Sequence, residues 1–185
     1  MSSRANACRA FFEEQRSNPG KVVELLDHPE AVIWESLPAS EFSPGPVASE
    51  EAVLRKCFNP IHFEAETGEL KPSAFTDVKA RGGSVDRLSH TTMEAVIDQG
   101  RASAEAKNAE STDKDLRTLR ALVRLPVAEL RAMTSEDRRL YAVYDTALQS
   151  NKAHADICLI SGGGQAARSA RLQIMDLANR GLEPT

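Results

Sequence analysis

The stretch ADICLISGGGQAARSARLQIMDLANRG, residues 155–181, restricts the fold more than any other part of the chain. Its opening apolar run is too short for most helices and ends in three glycines. Beyond them Ala167, Ala170, Ile174, Leu177 and Ala178 recur at three- and four-residue steps. This spacing predicts a buried strand, a tight turn and an amphipathic helix whose apolar stripe must lie on a sheet or on another helix. Arg180 suits the negative end of that helix, Gly181 is positioned as a left-handed cap, and Pro184 follows.

A strand, a glycine turn and a helix also form the first unit of nucleotide-binding folds. Gly162, Gly164 and Ala167 match the relaxed dinucleotide pattern GxGxxA. Such folds need a further strand carrying an acidic residue about 20 positions on. Glu183 is the only acid at that distance, and no strand is predicted to hold it. The phosphate-loop pattern fails because no lysine follows Ser161. A plain strand-to-helix corner is therefore expected, with an anion held by the turn's backbone and Arg168 as the alternative.

Upstream, three helical pieces are predicted within residues 1–37: ANACRAFFEEQRS, KVVELLDH and EAVIWESL. Each is stopped by Pro19-Gly20, Pro29 or Pro38. Residues 38–49, PASEFSPGPVAS, are rich in proline and serine and read as a linker. Residues 50–185 form the main domain. AVLRKCF, IHFEA, PSAFTDV, SVDRL, LRALVRL, LYAVY and ADICLI read as strands, and Thr91 or Thr92 caps the helix MEAVIDQGRASAEAK. Residues 107–115 read as an exposed loop, and VAELRAM, after the break at Pro126, as one or two helical turns. The expected class is α+β: short N-terminal helices, a small, mostly antiparallel sheet, and the C-terminal helix packed on it.

Composition removes several functional classes. A 41% hydrophobic and 27% charged chain is expected to build a packed core. No apolar run approaches the roughly 18 residues of a membrane span, and MSSRANACRAFFEEQRS lacks a signal peptide's apolar core, so the cytoplasm is the expected compartment. Cys8, Cys57 and Cys158 are odd in number, form no CxxC pair and are expected to be free thiols. The net charge of −4 does not indicate a nucleic-acid partner. His28, His62, His90 and His154 are not spaced like ligands of a metal, so neither a metal nor a cofactor is expected.

Two constellations stand out. His154 and Asp156 are two residues apart on a predicted strand and so share a face, where a carboxylate can orient an imidazole for proton transfer. They are the candidate catalytic pair. Arg55 and Arg87 lie within strand-like runs and must find acceptors or solvent. With His62, His154 and the Ser84 beside Gly82-Gly83, they form a candidate pocket for a phosphorylated ligand. Structural ion pairs with the chain's many acids are the competing explanation.

The spacing LRxxFxPxH (Leu54 to His62), SAF (Ser73 to Phe75), SVxR (Ser84 to Arg87) and AHADI (Ala153 to Ile157) resembles a set of small bacterial proteins of unassigned function over residues 52–180. That resemblance carries no activity to any residue. An arginine on an early strand followed by a serine on a later one is also loosely similar to ADP-ribosyltransferase-like folds, which implies a catalytic acid on a late strand. Two functions are expected from these readings. The first is an interaction or regulatory module whose N-terminal helices bind a protein partner. The second is an enzyme acting on a phosphorylated small molecule or nucleotide through Arg55, His62, Arg87 and His154.

Overall fold

A computed structural model describes residues 3–112 and 115–185. The N-terminal part forms α1 (Ser3–Glu14), α2 (Lys21–Leu25) and α3 (Ala31–Trp34). There follow β1 (Ala52–Asn59), β2 (Gly83–Arg87), α4 (Met93–Glu110), β3 (Thr118–Pro126), α5 (Val127–Ala132) and a short hairpin of β4 (Thr134–Ser135) and β5 (Arg138–Arg139). The chain then runs through β6 (Tyr141–Tyr144), β7 (His154–Leu159), α6 (Gly164–Arg180) and β8 (Leu182–Pro184).

Six strands make one antiparallel sheet in the order β6-β7-β2-β1-β3-β8. The α+β class and the C-terminal helix on the sheet are as expected. Register then decides which side chains meet. Val53 pairs with Arg87, so Val53, Arg55 and Arg87 share one face. Ser84 pairs with Asp156 and Asp86 with His154, so these four occupy the opposite face. Helices cover both. α4 sets Val96 over Leu54 and Leu122 on the Ser84 face, where α1–α3 also cover Tyr144, through the Phe12 ring and the bond from Tyr144 Oη to Ala31 O. α6 lies on the other face, against β3 and the turn at Pro72–Phe75.

Several elements differ from expectation for local reasons. PSAFTDV is not a strand but two short 3-10 turns, Pro72–Phe75 and Asp77–Lys79, because Pro72 enters with a φ suited to a helical first turn and no N–H to give a ladder. IHFEA contributes only the isolated bridge of Phe63 to Leu70. α4 runs through Glu110 into the expected loop, of which Asp113 and Lys114 lie outside the described residues. Gly181 is not left-handed (φ −100°). It is glycine because a Cβ there would stand 2.0 Å from Arg124 O, and that close approach lets β8 pair with β3 through the bond from Arg124 N to Gly181 O.

The N-terminal helices and residues 38–49 are built into the main core rather than tethered to it. Cys8, Phe12, Val22, Leu25, Ala31, Trp34, Ala39 and Val47 belong to the same buried cluster as Val85, Ile157 and Ile174. Burial of Phe12, Val22 and Leu25 contributes about 1.5–3 kcal/mol each, a large part of a typical net stability. The proline-rich stretch is strapped down by Arg87, which donates to Gly45 O and Pro46 O, and by Ser40 Oγ, which donates to Ala147 O. No helix among the described residues is long and apolar enough to cross a membrane.

Candidate functional site

A cavity of about 290 Å³ opens on the Ser84 face, between the α1–α2 corner and the sheet. Its wall includes Arg16 and Lys21 from that corner, Arg81 and Gly82 from the turn before β2, Ser84 from β2, and His154 and Asp156 from β7. Antiparallel pairing of Ser84 with Asp156, and of Asp86 with His154, is what brings the serine, histidine and acid together.

Asp156 is the buried centre of the site, 3% exposed, and Lys21 Nζ stands 2.6 Å from its Oδ2. Ser84 Oγ donates to its Oδ1 at 3.4 Å. Burial by itself would raise this carboxyl, but the Lys21 ammonium, followed by His154, holds it below its ordinary value. Gly82 supports the pair from behind. Its φ of +93° suits glycine, and a Cβ would come within 3.1 Å of the Asp156 side chain and 3.2 Å of Lys21 Cε.

The His154 ring is oriented from its other side. Nδ1 lies 3.0 Å from Thr146 O and 3.1 Å from Thr146 Oγ1. A carbonyl only accepts, so Nδ1 carries a proton, and Nε2 points towards the acid. Nε2 is 3.9 Å from Asp156 Oδ1, an electrostatic contact beyond hydrogen-bond length. The expected relation is thus corrected: His154 and Asp156 do share a face, but Thr146 orients the imidazole and Lys21 takes the carboxylate. The order of groups also differs from a nucleophilic relay, in which imidazole stands between hydroxyl and carboxylate. Here the carboxylate stands between Ser84 and His154.

Arg55, Arg87 and His62 do not join this cavity. Arg55 is buried on the other face, where it donates to Ser84 O, Ala74 O and, at 2.6 Å, Asp77 Oδ2, bracing β1 against β2 and the two 3-10 turns. Arg87 is buried with Glu51, which it meets through Nε at 3.0 Å and an Nη at 2.7 Å, and approaches Asp145 at 3.4 Å. Burial works to raise Glu51, but bonds from Arg87, Ser89 and Ala48 bring it down to about 2. Burial raises Asp145. His62 sits beyond β1, where its Nδ1 accepts from Phe58 N and burial lowers it to about 4. The four-residue pocket of Arg55, His62, Arg87 and His154 is therefore overturned by strand parity and by these internal partners.

The glycine corner does meet an anion, and it is the protein's own. Gly162 N donates to Asp27 Oδ1, a bond that leads the causes lowering the Asp27 carboxyl. All three thiols are free and buried, and burial pushes Cys8 and Cys57 up to about 12, which keeps them protonated. Among the described residues no three His, Cys, Asp or Glu side chains gather as a metal site.

Arg16, Lys21, Arg81 and Thr146 were not legible as site residues. One signal existed for Lys21: a cation in the first turn of a helix opposes the helix dipole, which favours a tertiary partner as its reason for being there. In comparisons with family models, curated proteins and solved structures, the chain matches none of them.

Proposed function

We propose that the chain binds a small anionic ligand in the cavity at Asp156. The observation that carries this reading is the charge of the wall: Arg16, Lys21 and Arg81 face a single carboxylate, Asp156, which Lys21 already neutralises. Two arginines are left over, with the Ser84 hydroxyl and the His154 imidazole beside them. Arginine is the side chain best shaped to hold a carboxylate or phosphate through two oxygens. Binding is favoured over hydrolysis because Ser84 has no imidazole to accept its proton.

The same reading is better supported than partner recognition by the N-terminal helices. Their large apolar side chains are mostly buried in the core, and Val23, Val32 and Ile33 remain exposed as scattered residues of a kind common on ordinary surfaces. A thermal-shift titration with inorganic phosphate tests the proposal. Wild type is expected to gain stability with ligand concentration, since a ligand that binds only the folded state stabilises it. Ser84→Glu, which adds a carboxylate at an exposed wall position, is expected to lose that gain; an equal gain in the variant refutes the site.

A further inference from the structure

Arg16 and Arg81 differ from the buried arginines of the core and from Lys21 beside them. The side chains of both are exposed at the cavity wall, and neither has an ion-pair or hydrogen-bond partner among the described residues. Arg55, Arg87, Arg131 and Arg139 are each matched to a carboxylate, and so is Lys21. The two free guanidiniums come from separate parts of the chain: Arg16 from the turn after α1, Arg81 from the turn before β2. Both line this cavity.

Resting on the anion-binding reading, we infer that the ligand is a compact phosphate monoester, held as its dianion between Arg16 and Arg81. The charge match leads to this class. A carboxylate is satisfied by one bidentate guanidinium and leaves the second unneutralised in a half-enclosed site. A phosphate monoester carries close to two negative charges and three equivalent oxygens, enough for both. His154 and Ser84 also line the cavity and can meet the remaining oxygen. The lining also includes the apolar Phe12, Ala39 and Leu148, which suit the carbon side of an ester better than a bare inorganic ion. Size sets the scale. At about 290 Å³ the cavity is at the lower end of small-molecule sites, which points to a single compact ligand.

The test compares phenyl phosphate with benzoate by isothermal titration calorimetry, on wild type, Arg16→Gln and Arg81→Gln. Both arginines are exposed, so neither substitution threatens folding. Wild type is expected to bind phenyl phosphate at least about tenfold more tightly than benzoate, the effect of one additional charge-assisted contact. Each variant should lose about tenfold for phenyl phosphate and less for benzoate. If benzoate binds as tightly as phenyl phosphate, and loses as much in both variants, the anion site stands and the dianion assignment is overturned. If neither probe binds, the anion site and the assignment fall together.

Discussion

Replacing Lys21 by methionine probes the buried ion pair that organises the site. Lys21 and Asp156 are 7% and 4% exposed at the side chain and 2.6 Å apart, so water screens them little. Methionine fills the space of the aliphatic stem but leaves Asp156 charged and buried, with the Ser84 and Thr146 hydroxyls and the more distant His154 near it but no cation paired to it at close range. Removing one partner of a buried pair costs about 3–5 kcal/mol. In urea denaturation at pH 7 the variant should lose stability of that order. The loss should shrink as the pH falls, for two reasons. In wild type the Asp156 carboxyl is lowered from 3.8, so its contribution is complete above that value and is lost as the pH drops through the folded-state pKa. In the variant the uncompensated acid takes up a proton and sheds its penalty. Lys21→Met combined with Asp156→Leu should stand closer to wild type than Lys21→Met alone, because the stranded charge is gone. A loss below about 1 kcal/mol in the single variant, or one that does not change between pH 7 and pH 4, refutes the reasoning.

Four further outcomes follow from the same structure. Gly82→Ala meets both a positive φ and the Asp156 side chain, and should cost about 1–3 kcal/mol or more by urea denaturation. A chain beginning after residue 37 should fail to give a cooperative unfolding transition, because Phe12, Val22, Leu25 and Trp34 leave the shared core. Glu51→Gln should be less stable than wild type at neutral pH. Glu51 lies at about 2 in the folded state against an ordinary 4.5, so its contribution is present above 4.5 and fades as the pH falls through about 2, where thermal melts of the two proteins should converge. Proton NMR titration of His62 should give a midpoint near 4 instead of 6.5, so the folded protein loses stability as the pH falls from 6.5 towards 4.

The elements most legible in the sequence were those whose periodicity is set by a single neighbouring layer. Ala170, Ile174, Leu177 and Ala178 are buried where their three- and four-residue spacing places them, while Ala167, at the start of the same stripe, is exposed in the first turn of α6; the strand of residues 154–159 is buried along nearly its whole length. Residues 72–79 misled because Ala74, Phe75 and Val78 are buried without belonging to a strand, and burial alone does not distinguish a 3-10 turn from a ladder. β8 was hidden because its reason is a backbone contact, Gly181 against Arg124, which has no side-chain signature.

The site was legible in part. Ser84, His154 and Asp156 share a cavity, and the two-residue spacing of the last pair was a valid clue to a common face. The same rule, applied to SVDR, separates Ser84 from Arg87: three residues apart on one strand, they point to opposite faces. Arg55 and Arg87 looked available because nothing in the sequence marks Asp77 or Glu51 as their acceptors. The contributions of Arg16, Lys21 and Arg81 depend on how the α1–α2 corner folds back over the sheet, a contact between residues 135 apart in the case of Lys21 and Asp156.

Amide chemical-shift mapping during titration with inorganic phosphate tests the anion site most directly. The largest shifts should fall on Arg16, Lys21, Arg81, Gly82, Ser84 and His154, all of which line the cavity. Shifts confined to the glycine corner at residues 161–164, or to the Arg55 and Arg87 face, would contradict the account.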